Sequence, residues 1–264
     1  MKKNTISDIF NAKGHEKLAM ITAYDALFTK IFDPLVDMIL IGDSLNMSFG
    51  GHADTLCLSA DQMIYHAKTV ASNASHALVV ADMPFGTTID EATTLKNAVR
   101  LYKESGVDAV KIEGDKRIAP IIRRLSDEGI AVMGHIGLRP QLSRFEGGYK
   151  VKGRIDGEMQ KMLEDAHAIE EAGAFSLVIE GSLSAIATKI TQEIQIPTIG
   201  IGSGVHTDGQ VLVWSDMLGF FDEFKPKFVK RYLNGAELAR NAVKSYVDEV
   251  KSSKFPSEEY EYTK

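Results

Sequence analysis

Eight short apolar runs, most of them separated by segments of helical length, set the tightest limit on how this chain folds. They are LAMITAYD from Leu18, DMILIGDS from Asp37, HALVVADMPF from His76, DAVKIEG from Asp108, IAVMGHIG from Ile130, SLVIEG from Ser176, TIGIGSG from Thr198 and GQVLVWSD from Gly209. Most are too short for helices, are rich in Val and Ile, and end in Gly, Pro or an acid. Runs that are apolar nearly throughout, rather than alternating, fit parallel strands covered on both faces. Between them DQMIYHAKTVASNA, DEATTLKNAVRLYKESG, RIAPIIRRLSDEG, EMQKMLEDAHAIEEAG and LSAIATKITQEI read as helices. Gly106, Gly129 and Gly173 close three of these, since glycine adopts the left-handed conformation that ends a helix. Strand–helix alternation on this scale predicts an α/β fold, a (β/α)8 TIM barrel. An open doubly wound sheet is the alternative, because closure of the sheet is not visible in local pattern.

No linker or low-complexity segment divides the chain, so a single domain is expected over residues 1–264. It would carry a short N-terminal helix, a final helix from Gly235 to about Lys251, and a polar tail, FPSEEYEYTK. With 44% hydrophobic and 25% charged residues, the composition is that of an ordinary soluble globular protein. A net charge of −6 offers no basic footprint for nucleic acid or an acidic membrane. Cys57 is the only cysteine, which leaves no internal disulfide framework and no multi-cysteine metal site. The start, MKKNTISDIFNAKGHEK, lacks the apolar stretch of a secretory signal, and no run is long enough for a membrane helix. A cytoplasmic location is expected.

In a barrel of this kind, chemistry sits at the C-terminal ends of the strands. Those ends carry Tyr24 and Asp25, Asp43 and Ser44, Asp82, Lys111 with Glu113, His135, Glu180, the glycines of GIGSG, and Ser215 with Asp216. Lys111 and Glu113 stand two apart, so they point to the same face of one strand. Asp43, Asp82 and Glu113 end consecutive strands, and three ionised carboxylates in one small volume repel unless a cation sits among them. An all-oxygen donor set favours a hard divalent ion, with Mg2+ the best fit. Lys111 would then bind an anionic substrate group. The plainer reading is a local Lys111–Glu113 ion pair with both aspartates as turn residues. Glu180, set apart at an apolar mouth, is either a general base of raised pKa or a glutamate paired with a lysine or arginine.

Other residues carry weaker signals. GIGSG (Gly200 to Gly204) resembles a phosphate-cradling loop but fails the dinucleotide-binding spacing, and reads as close backbone packing or a loop approaching a flat ligand. His135 reads as a hydrogen-bonded wall, and His66 and His167 as helical. Tyr149 and Lys150 lie on a glycine-rich loop placed to cover the site. Cys57 reads as packed, with no base-bearing motif beside it.

The motifs ITAYDA, GDSLNM, VVADMPF, VKIEGD, GHIGLRPQ, GGYKVKGR and GIGSGVHTDGQVLVWSDMLG occur in this order across nearly the whole chain. As an ordered set they closely resemble the ketopantoate hydroxymethyltransferases of pantothenate biosynthesis. The resemblance implies a Mg2+-dependent barrel enzyme that transfers a one-carbon unit from 5,10-methylenetetrahydrofolate to 3-methyl-2-oxobutanoate, giving 2-dehydropantoate through a Mg-stabilised enolate. By motif, Asp43, Asp82 and Glu113 correspond to metal-binding acids. Asp43, Ser44, Asp82 and Lys111 correspond to substrate-binding residues, and Glu180 to the proton acceptor. A large homo-oligomer, commonly a decamer, is also implied. Three places depart from the family pattern: Asn46 after GDSL, FGTTID after Pro84, and GSLSA after Glu180. These touch the folate side and the loop beside the base, not the acids.

Two other classes compete. A metal-dependent lyase or mutase of the phosphoenolpyruvate mutase and isocitrate lyase type shares the barrel and the oxo acid. Isocitrate lyases carry a Lys-Cys-Gly-His motif, whereas the one cysteine here lies in TLCLS. A non-catalytic oligomeric barrel is the third reading, to be told apart by failure to bind Mg2+ or any oxo acid.

Overall fold

Every one of the eight apolar runs contains a strand, and each strand lies parallel to its neighbours. The computed structural model describes residues 2–222 and 225–262. The strands are β1 (Leu18–Thr22), β2 (Met38–Ile41), β3 (Leu78–Asp82), β4 (Ala109–Glu113), β5 (Val132–Gly137), β6 (Ser176–Glu180), β7 (Thr198–Ile201) and β8 (Gly209–Leu212). They run in sequence order, and β8 pairs with β1, so the sheet closes into a barrel. The expected (β/α)8 architecture is therefore what the chain adopts, and the open sheet is excluded.

The helices are α1 (Ile6–Asn11), α2 (Ala26–Phe32), α3 (Leu45–Ser48), α4 (Ala60–Ala71), α5 (Glu91–Ser105), α6 (Ala119–Asp127), α7 (Ser143–Glu146), α8 (Glu158–Glu171), α9 (Ser184–Glu193), α10 (Trp214–Met217) and α11 (Gly235–Lys251). The five helices read between strands are all present. Their ends follow capping chemistry: Ser59 and Gln62 form a reciprocal capping box at the start of α4, and Asp90 caps α5. Gly106 closes α5 in the left-handed conformation. The short helices α2, α3 and α7 went unread, because a few turns inside a loop show too little periodicity. GQVLVWSD is strand only to Leu212. Ser215 and Asp216 lie on α10 rather than at a strand end, because Leu218 N–H closes a helical turn onto the Trp214 carbonyl.

The contacts divide the chain into two compact units, Met1–Val213 with the barrel and Trp214–Lys264 with α10 and α11.

Met20, Met38, Leu40, Leu78, Val80, Ala109, Met133, Val178, Ile199 and Val211 fill the barrel interior. Each large apolar side chain buried this way contributes about 1.5–3 kcal/mol. Strand alternation then decides what stands above this layer. Ala109 belongs to it, so Lys111 and Glu113, two and four residues on, face inward over it. The same count along β3 and β5 turns Asp82 and His135 inward. At the opposite end, acids placed just before strands bind the starts of neighbouring strands. Asp37 accepts the Ala19 N–H at 2.7 Å, Asp108 the Val79 N–H at 2.8 Å, and Asp208 the Thr198 N–H at 2.9 Å.

Candidate active site

Strand register assembles the site. Asp82 is level with Lys111 across β3 and β4, Glu113 with His135 across β4 and β5, and Glu180 with Gly137 across β5 and β6. A side chain at Gly137 would meet the Glu180 carbonyl at 2.2 Å, and the residue sits at φ +94°. Only glycine lets the two strands meet here with Glu180 in place.

Lys111, 5% exposed, binds Asp82 Oδ1 at 2.9 Å and donates to His135 Nδ1 at 3.1 Å. The local Lys111–Glu113 ion pair is therefore not formed; the ammonium reaches across to the next strand instead. Asp82 Oδ2 accepts the Asp43 N–H at 2.8 Å. Asp43 Oδ2 accepts from Gln141 Nε2 at 2.9 Å, and Glu113 Oε2 accepts the Gln141 N–H at 3.2 Å. Ser44 shares a 2.8 Å hydrogen bond with the Tyr24 hydroxyl. Glu180 Oε2 lies 3.3 Å from His135 Nε2. Among the described residues Glu180 forms no ion pair with a lysine or arginine.

Burial sets the protonation of this cluster. It pushes Asp43 up, as does the neighbouring Asp82, against the pull of Lys111 and Gln141. Glu113 is held well above the ordinary glutamate range by burial and by Asp43. Burial raises Glu180 to about 7, with Lys111 opposing. Burial works against the Lys111 ammonium, but Asp82, Glu113 and Asp43 outweigh it and hold the charge. His135 is driven well below the usual histidine value by burial and by Lys111, so its ring is neutral.

Among the described residues, no three His, Cys, Asp or Glu side chains stand as a ready cation cage. Asp43, Asp82 and Glu113 do reach the same end of the barrel, each held meanwhile by a protein donor. Their chemistry suits a hard divalent ion: oxygen donors only, desolvated, with Asp43 and Glu113 raised in pKa by burial and by neighbouring carboxylate charge.

Some residues behave differently from their sequence reading. Besides being the hydrogen-bonded wall expected, His135 is the junction of the cluster. Gln141 had no role although it closes the motif GHIGLRPQ, because nothing local tells that its amide reaches Asp43 and the Met83 carbonyl. Cys57 is exposed rather than packed. It lies in the turn before α4, and its sulfur accepts from Asn46 Nδ2 at 3.2 Å. GIGSG does serve close packing: a side chain at Gly204 would meet Ser184 Oγ at 2.1 Å. Tyr149, on the glycine-rich loop after α7, brings its hydroxyl 3.6 Å from Met47 Sδ. That loop thus reaches the segment after β2. His66 and His167 lie on α4 and α8 as read.

The closed parallel barrel is shared with solved enzyme structures. It superposes on a phosphonopyruvate hydrolase with a TM-score of 0.64 at 13% identity, covering 100% of this chain and 92% of that one. It superposes on 2,3-dimethylmalate lyase, a phosphoenolpyruvate mutase/isocitrate lyase superfamily member, with a TM-score of 0.61 at 15% identity, covering 100% and 93%. At such identities the likeness is one of fold. The sequence goes further. The ketopantoate hydroxymethyltransferase family model matches residues 3–258, and the chain belongs to that family. It is 60% identical to the 3-methyl-2-oxobutanoate hydroxymethyltransferase of Campylobacter fetus subsp. fetus over 100% of both chains. It is 57% identical to that of Helicobacter pylori strain P12, over 98% of this chain and 96% of the relative. The chain is thus an enzyme of the one-carbon transferase class. No described helix is long and apolar enough to cross a membrane.

Proposed function

We propose that the site transfers a hydroxymethyl group from 5,10-methylenetetrahydrofolate to 3-methyl-2-oxobutanoate, giving 2-dehydropantoate and tetrahydrofolate for pantothenate biosynthesis. The observation that carries the residue roles is that Glu180, raised to about 7, and the charged Lys111 stand on either side of His135 at one barrel mouth. Lys111 and Ser44 hold the substrate carboxylate and fix its orientation before reaction. Asp43 and Asp82 line the substrate, and with Glu113 they hold Mg2+. When bound, that ion supplies Lewis-acid polarisation of the keto group, worth several kcal/mol toward the developing enolate. Glu180 takes the proton from C3, where a carboxylate of near-neutral pKa is matched to the operating pH. Water adds to the methylene carbon of the folate, and its two carbon–nitrogen bonds break as the nitrogens take up the water's protons, leaving tetrahydrofolate and a formaldehyde unit. The carbanionic C3 adds to that carbon, and the alkoxide formed takes a proton to become the hydroxyl.

The reading takes residues 1–264 as one cytoplasmic barrel domain acting as a homo-oligomer, a decamer on the family pattern. Leu238, Val243, Tyr246 and Val250 on α11 are exposed apolar residues in keeping with subunit contact. Sedimentation at assay concentration as a monomer would remove that part.

The decisive measurement is C3 proton–deuteron exchange of 3-methyl-2-oxobutanoate in D2O with Mg2+ and no folate. Glu180→Gln should slow it about 100- to 10,000-fold while the oxo acid still binds. Exchange at the wild-type rate would remove Glu180 from the base role.

A further inference from the structure

The Lys111 ammonium has three N–H donors. It stands 2.9 Å from Asp82 Oδ1 as an ion pair and directs one N–H to His135 Nδ1, which leaves donor capacity for the substrate. Because Lys111 donates to Nδ1, that nitrogen is an acceptor, and the ring proton of the neutral imidazole must sit on Nε2. Nε2 is buried and lies 3.3 Å from Glu180 Oε2, and the Leu138 backbone is the other acceptor that acts on the ring. His135 itself is 1% exposed, so no bulk solvent competes for that N–H. Its other carboxylate neighbour, Glu113 Oε1, lies 3.6 Å from Nδ1, the nitrogen that has no proton to give.

We propose that His135 is a positioning residue: fixed as the Nε2–H tautomer by Lys111, it aims the carboxylate of Glu180. The inference rests on the base role given to Glu180 above. Oε2 is then the oxygen turned to the ring, and Oε1 the oxygen that takes the C3 proton. The same imidazole links the residue that grips the substrate carboxylate to the residue that removes the proton. A shift of the ammonium toward substrate is thereby transmitted to the base through one rigid ring.

Two substitutions separate the two ring nitrogens. The amide of asparagine superposes on the Nδ1 side and keeps an acceptor for Lys111, but loses the donor toward Glu180. The amide of glutamine reaches the Nε2 position and keeps that donor. In the folate-free exchange assay, His135→Asn should lower the maximal rate about 100-fold, the scale of a misplaced catalytic group, with the KM for the oxo acid little changed. His135→Gln should keep the maximal rate within about tenfold and instead raise KM, the signature of lost ground-state binding. Nitrogen-15 spectra of histidine-labelled wild-type protein should show His135 as the Nε2–H tautomer. Equal losses in both variants, an unchanged maximal rate in His135→Asn, or an Nδ1–H tautomer would overturn the proposal. If Glu180→Gln exchanges normally, the base assignment fails and the inference with it. If only His135→Asn exchanges normally, the base stands and the positioning role falls.

Discussion

Carboxylates are buried at both ends of this barrel, and they are treated in opposite ways. At the N-terminal end, Asp33 accepts the N–H groups of Ser75, His76 and Ala77 and the Ser75 hydroxyl. Burial alone would raise it, but these donors, Ala77 first, hold it below the ordinary aspartate range. Asp208 is served similarly by Thr198 and by Lys13 at 2.8 Å. At the C-terminal end, Asp43, Glu113 and Glu180 receive few donors; burial raises all three, and neighbouring carboxylate charge raises Asp43 and Glu113 further. All are carboxylates, with Asp33, Asp208 and Asp43 buried and Glu113 and Glu180 half-buried. What differs is whether backbone amides answer the charge. An answered carboxylate is a latch between strands; an unanswered one is available for a cation, a substrate or a proton.

The contrast is most exposed to failure at Lys111, the one ammonium among the mouth acids. Lys111→Met leaves buried carboxylates unbalanced and should cost about 3–5 kcal/mol of stability, read as a lowered urea midpoint, in addition to loss of oxo-acid binding. Unaltered stability would mean that the acids are not coupled through this residue. Next in size is Asp33→Ala, which orphans amide donors at the starts of strands. It should cost about 2–3 kcal/mol and leave turnover per folded molecule unchanged. A drop in turnover without a stability loss would erase the division between latch end and working end.

Smallest per step measured is the pH dependence, read one pH unit at a time, and its sign differs between the ends. Asp33 has a depressed folded value, so its stabilisation is present above the unfolded aspartate range and is lost as pH falls through the folded one. Glu180 has a raised folded value, so the folded state holds the extra proton between 4.5 and about 7. Stability therefore declines as pH rises through that window, by at most about 1.4 kcal/mol per pH unit for one group. Glu180→Gln should flatten this decline in urea midpoints measured from pH 5 to 7. An unchanged slope would show that Glu180 titrates as an ordinary surface glutamate.

Much of this was readable along the chain. The strands declared themselves by continuous apolar runs, and the longer helices by caps and closing glycines. The acids Asp43, Asp82 and Glu113 stood out because polar residues at the ends of apolar runs are conspicuous. Partnership was not readable. A pair between Lys111 and Glu113, neighbours on one strand, was only one of two readings, and neither pointed to the partners Lys111 binds, Asp82 on β3 and His135 on β5. Gln141 sits in a loop with nothing local to mark it, and the exposure of Cys57 depends on a turn geometry that its apolar surroundings did not reveal.

Local pattern determined which segments become strands, which become helices, and which side chains share a face. Period and capping act over a few residues, so this information is written in the sequence itself. The closed ring, the level at which Glu113 meets His135, and the choice of partner for each buried charge were decided only by tertiary structure. Those depend on register between strands far apart along the chain, and on burial, which fixes how strongly each charge feels the next.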